Sequence, residues 1–282
     1  MMNTLKQARS ALSMLNPEEM RRRADRDVHI GLVATSESGY NRLEDFLVPG
    51  DLPGSVRFEM LRRVHRATDS DVPSQVDFVL YEPGLKGSKG TFTLNPHAPE
   101  ETIAEILYAH DSISLALACH FPALRRPVID RTIQAVAREN ALFAVATALP
   151  DIVPSLIELP WAFGEFASDT VFLTANQLRM AFLIAAASGH EVGFAHQKAA
   201  IATIVGSAFG WRALARELVG KIPLGGGLIP KGAIAYAGTF AVGKALERAY
   251  AHQPLTGHEH RAVYDQAYRH GLQVVKSMRK RA

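Results

Sequence analysis

The sequence predicts two parts of different class: an α/β domain with a parallel sheet, followed by an all-α domain. Three observations predict it. Apolar runs with little polar alternation, VHIGLVA (28–34), VDFVLYEPG (76–84), ISLALACHF (113–121) and LFAVATALP (142–150), are separated by helical patterns. Such runs suit strands covered on both faces, which is the habit of parallel sheets. Beyond 151 the strand signal stops and helical periodicity takes over. Within 205–250, two helical runs flank Gly225-Gly226-Gly227, bracketed by Pro223 and Pro230. Glycine accepts positive φ and proline fixes φ near −65°, so this segment reads as a sharp reversal.

The elements follow in order. Residues 1–27 read as an amphipathic, basic helical arm. Leu5, Ala8, Leu12 and Leu15 share a stripe, and Asn16-Pro17-Glu18-Glu19 opens a second helix that carries Arg21, Arg22, Arg23 and Arg26. Residues 28–152 form the α/β domain. Its first strand is 28–34, and Ser36-Glu37-Ser38 starts a helix whose Leu43, Phe46 and Leu47 share one face. SVRFEMLRRV (55–64) alternates enough for an edge strand. A second buried strand over 76–84 stops at Pro83-Gly84, and 86–99 is a loop with a short hairpin. Pro99 opens a helix to about 109, 113–121 is a third buried strand, Pro127 opens another helix, and 142–150 is the fourth. The boundary falls near Asp151–Pro154, and residues 153–282 are helical, at 165–188, 195–219, 231–251 and 257–279. Thr256-x-x-Glu259 is a capping box for the last helix. Ala233, Ala237, Ala241, Ala245 and Ala249 recur at i+4 and form a face of small side chains that lets another backbone approach.

The totals exclude several classes. The chain has 282 residues, 48% hydrophobic and 21% charged, with a net charge of +3. That charge is too small for a nucleic-acid binder. Cys119 is the single cysteine, so there is no intrachain disulfide, and a reducing compartment is expected. No signal-peptide pattern opens the chain. The longest runs free of Asp, Glu, Lys and Arg are 112–124 and 199–211, both shorter than the roughly 20 apolar residues of a spanning helix.

The chemistry begins at the first loop. A phosphate loop needs glycines that let backbone N–H groups wrap the phosphates, a lysine for the β and γ oxygens, and a hydroxyl for magnesium. The corresponding frame here runs Ala34-Thr35-Ser36-Glu37-Ser38-Gly39-Tyr40-Asn41. Alanine stands at the first glycine, Tyr40 at the lysine and Asn41 at the hydroxyl, and only Gly39 remains. Glu37 adds negative charge where a polyphosphate would lie. In the next buried strand, Tyr81 stands where an aspartate would reach magnesium, followed by Glu82, Pro83 and Gly84. The ends CHFP and TALPD of the last two apolar runs lack a guanine-reading Asn-Lys-x-Asp.

With those residues in place, 28–152 resembles a P-loop GTPase domain that kept its scaffold and lost its nucleotide groups. The helical part is more specific. Gln177, Met180, Gly225–Pro230, Ala235-Tyr236-Ala237, Thr239 and Gly243 resemble the YcjF-like helical family associated with Era-type GTPases, over roughly 150–252. The resemblance implies an all-α domain, membrane association and no catalytic residues.

Other groups read as structural. Arg212, Arg216, Lys221 and Lys231 form a candidate face for an anion or a partner, with an ion-pair cluster as the plainer alternative. Cys119-His120 would point to opposite faces of a strand, and His258, Glu259 and His260 would not share a helix face, so neither makes a metal or thiol site. The expectation is a non-enzymatic adaptor with no cofactor and no metal. It binds a protein partner or itself, and acts in the cytoplasm at the inner membrane face. The competing expectations are a membrane-inserted scaffold and a nucleotide switch with non-standard residues.

Overall fold

Ile30 and Leu32 are fully buried, and the strand they build is one of the two inner strands of a four-stranded sheet. In the computed structural model, residues 15–69, 75–85, 87–88, 90–147, 169–202 and 228–281 are described. The chain divides into two compact units. One is Glu19–Asp130 with Ala186–Glu191; the other is Met1–Glu18 with Arg131–Ala185 and Val192–Ala282. The boundary expected at 151–154 lies outside the described residues.

The first unit is α/β. Helix α1 (Pro17–Ala24) leads to β1 (Ile30–Val33), α2 (Glu37–Leu47), α3 (Gly54–Leu61), β2 (Val64–Arg66), β3 (Phe78–Tyr81) and β4 (Phe92–Thr93). Then come α4 (Pro99–Ala109), a single 3₁₀ turn, α5 (Ser114–His120) and α6 (Pro122–Ala146), whose later part belongs to the second unit. The strands lie in the order β2-β1-β3-β4, and every neighbouring pair is parallel. Ile30 pairs with Val64 on one side and Phe78 on the other. The chain leaves β1 first toward one edge and then toward the other. The ends of β1 and β3 therefore form a topological switch point, the place where doubly wound sheets leave a crevice.

The strand expectations outside β1 and β3 need correction. Residues 55–64 are mostly helix α3, and only Val64–Arg66 pair as a strand. No hairpin forms among the described residues of 86–99; β4 instead runs parallel to β3, with Leu80 opposite Phe92. ISLALACHF is helix α5, and 142–146 continue α6. Leu115, Ala116, Leu117 and Ala118 are all buried, so the run shows no helical period. Its Leu and Ala content favours helix over strand all the same. Pro127 sits inside α6 instead of opening it. The two strands that would have extended the sheet toward a GTPase-type core are thus helices.

Among the described residues, the second unit holds the end of α6, α7 (Asp169–Ala187, to Ala185), helical residues at 198–202, α8 (Leu228–Tyr250) and α9 (Gly257–Arg281). The capping box at the start of α9 is closed. Thr256 N–H donates to Glu259 Oε2 at 2.8 Å, and Glu259 N–H donates back to Thr256 Oγ1 at 3.3 Å. Helices α8 and α9 pack antiparallel. A Cβ added to Gly271 would stand 3.1 Å from the Ala233 carbonyl oxygen and 3.1 Å from Tyr236 Cβ, so these backbones nearly touch. Ala233, Ala237 and Ala241 are buried on α8, Ala245 is half-buried and Ala249 is exposed. A Cβ on Gly243 would overlap Ile133 Cγ1 at 2.7 Å, so α8 approaches α6 equally closely.

A polar layer runs through this apolar packing. Asn140 of α6 donates to Thr239 of α8 at 2.8 Å, and Asn176 of α7 donates to Asn140 at 2.9 Å. Gln177 also reaches Thr239, at 3.3 Å. At the rim, Arg179 binds both Asn176 and Glu139. Buried amides in one hydrogen-bonded layer fix the register of the three helices, since a slip would leave them unpaired.

Candidate functional site at the switch point

Two short connections meet at the switch point: Ala34–Ser36 after β1, and Glu82–Leu85 after β3. Serine is a strong N-cap because its oxygen satisfies an orphan helix N–H. Ser36 does this for α2, accepting from Gly39 N–H at 3.1 Å. Glu82 N–H donates to Val33 O at 3.0 Å, which carries the β1–β3 ladder one residue further. That bond delivers the Glu82 side chain to the first turn of α2. Its Oε1 accepts from Thr35 Oγ1 at 2.5 Å. Its Oε2 lies so close to Gly39 that a Cβ there would stand only 1.8 Å away. The carboxylate therefore rests on the one position of the loop with no side chain, at the positive end of the α2 dipole. Gly84, at φ +92°, makes the tight turn that follows, with Leu85 N–H donating to Glu82 O at 3.2 Å.

The residues singled out in the loop have different places. Tyr40 is buried, and the Arg66 guanidinium sits 5.3 Å above its ring. Asn41 accepts from Arg66 Nη2 at 3.0 Å. The remaining donors of Arg66 bind Glu44 at 2.7 Å and Glu37 at 2.6 Å. These two hydrogen bonds, the one to Glu44 foremost, hold the guanidinium above its ordinary pKa. The charge of Glu37 is thus drawn to Arg66 at the end of β2. Tyr81 packs its ring edge toward Gly87, where an added Cβ would come within 2.7 Å. Ala34 touches the site only through its Cβ, 2.9 Å from the position of a Cβ on Gly39.

The sequence pattern missed the central pair, Thr35 and Glu82, and also missed Arg66. Glu82 is visible as an acid at the end of an apolar strand. Its partner lies 47 residues away, and no local periodicity links them.

The helical face is described in part. Arg212, Arg216 and Lys221 lie outside the described residues, as do Gly225, Gly226 and Gly227. Lys231 stands in the first turn of α8, its Nζ 3.4 Å from Thr147 Oγ1. Cys119 and His120 lie on a helix, contrary to the strand expected there. Burial raises the Cys119 thiol pKa, and His120 Nε2 lies 3.2 Å from the Arg26 carbonyl oxygen. Among the described residues, no group of His, Cys, Asp and Glu is arranged to hold a metal ion, and no helix is long and apolar enough to cross a membrane.

Comparison with family models, with curated proteins and with solved structures returns no match to this chain.

Proposed function

We propose that the chain is a non-enzymatic adaptor or regulator. Its α/β unit keeps a nucleotide-type crevice in disused form, and its helical unit binds a protein partner or a second copy at the cytoplasmic membrane face. The observation that carries this reading is the Glu82 carboxylate, held by Thr35 against Gly39 at the first turn of α2. The chain supplies its own anion where a phosphate would bind a helix N-terminus. A phosphate brought about 4 Å from that carboxylate would meet a repulsion on the order of 4 kcal/mol at an effective dielectric constant of about 20. Arg66, the cation beside the loop, is already engaged by Glu44 and Glu37. The second half rests on the resemblance of 150–252 to the YcjF-like helical family; the buried alanines of α8 are taken up by packing within the chain.

Titration of the full chain with magnesium triphosphate tests the first half. The wild type should give no saturable signal, and Glu82→Ala should give weak, salt-sensitive binding. Tight binding by the wild type would overturn the reading. Light scattering across a concentration series, together with carbonate washing of cell membranes, tests the second half. A chain that stays monomeric, captures no partner and resists carbonate extraction would favour an inserted scaffold instead.

A further inference from the structure

Toward the other end of the sheet, His29 just before β1 and His65 in β2 meet ring nitrogen to ring nitrogen. His29 Nδ1 lies 2.9 Å from His65 Nε2, and the ring centroids are 5.1 Å apart. The opposite nitrogen of His29, Nε2, lies 3.1 Å from Asp27 Oδ2. A carboxylate accepts, so His29 Nε2 carries a proton, and the chain Asp27–His29–His65 is continuous. We propose that this chain is a proton latch between β1 and β2, which holds while the two rings share one bridging proton and opens when each ring carries its own.

The argument is stoichiometric. With both rings neutral, His65 Nε2–H donates to the lone pair of His29 Nδ1. Adding one proton to the pair leaves one bridging hydrogen, and the bridge gains charge assistance. A second added proton puts an N–H on both facing nitrogens. The bridge then becomes a contact between two donors on two cations, and the rings must part. The rings belong to neighbouring strands, since His29 precedes Ile30 and His65 pairs with Gly31. Parting therefore loads the hydrogen bonds Ile30 N–H to Arg63 O (2.9 Å) and Ala67 N–H to Leu32 O (2.8 Å).

The surrounding charges are mixed. Asp27 also meets Arg63 at 3.3 Å. Asp77 accepts from His29 N–H at 2.9 Å and pairs with Arg26 at 3.2 Å. Asp69 acts on His65 from beyond β2, and His120 reaches the Arg26 carbonyl. Burial first, and the neighbouring His29 second, push His65 below its ordinary value, against the weaker pull of Asp69 and Asp27.

Nitrogen-resolved NMR of the histidines in the full chain, followed through pH, is the test. The two rings should take up protons as a coupled pair in two distinct steps, with His65 displaced below the ordinary imidazole range. His65→Gln should abolish the second step. Amide exchange at Ile30 and Ala67 should quicken with the second step in the wild type, and not in His65→Gln. Uncoupled protonation of the two rings would overturn the latch, and so would unchanged exchange through the second step. If His65→Gln fails to fold, the wild-type titration and exchange decide alone.

Discussion

Replacing Gly39 with alanine tests the placement of Glu82 most sharply. The new Cβ would stand 1.8 Å from Glu82 Oε2 and 2.9 Å from Ala34 Cβ, so the carboxylate has to leave. Its bond to Thr35 goes with it. A hydrogen bond to a charged group contributes about 1.5–3 kcal/mol in a protected setting. Thr35 is exposed, so solvent competes and about 1–2 kcal/mol is expected here. Alanine in a helix offsets up to about 1 kcal/mol of that loss. The single substitution therefore mixes two effects, and a double-mutant cycle separates them. Gly39→Ala and Glu82→Ala should couple by about 1–2 kcal/mol, with Gly39→Ala less harmful once Glu82 is gone. Urea unfolding of the four proteins, with parallel slopes, gives the number. Additivity within about 0.3 kcal/mol would show that the carboxylate does not lie on Gly39, and the reasoning would fail.

Three further outcomes follow from the packing and the titrating groups. His65, His110 and His120 all have pKa values depressed chiefly by burial. The unfolded chain therefore binds more protons between the folded values and about 6.5. Stability of the α/β unit should fall as pH drops through that window and be fully present above it; melting curves from pH 8 to 5 that stay flat would contradict this. Ala241 is 3% exposed, and Ala241→Leu should overpack the helical unit at a cost of about 1–3 kcal/mol in denaturant unfolding, whereas a neutral result would mean an open face. The Tyr236 hydroxyl is buried with no hydrogen-bond partner among the described residues, so Tyr236→Phe should be neutral or stabilising by about 1 kcal/mol; a larger loss would contradict this.

Part of the architecture was legible in the sequence, for reasons tied to particular residues. β1 and β3 declared themselves as short apolar runs: Ile30, Leu32, Phe78 and Leu80 are buried on one face, while Val79 and Tyr81 on the other are half-buried. The capping box at Thr256 was legible because its chemistry is local. Helix α5 was not, because an element buried all round loses the alternation and the period that tell strand from helix. The alanine row of α8 was readable, yet Gly232, Gly243 and Gly271, where the neighbouring helices come closest, carry no periodic signal. The site followed the same rule: Ala34, Tyr40 and Asn41 could be read one by one, while the pairing of Thr35 with Glu82 exists only once β1 and β3 lie side by side.

The central claim is that this crevice is filled by the protein's own carboxylate and holds no nucleotide. Titration calorimetry of the full chain with GTP, GDP and ATP in the presence of magnesium tests it most directly. We expect no saturable heat with any of the three. Micromolar binding that is lost on changing Gly39 would contradict the account.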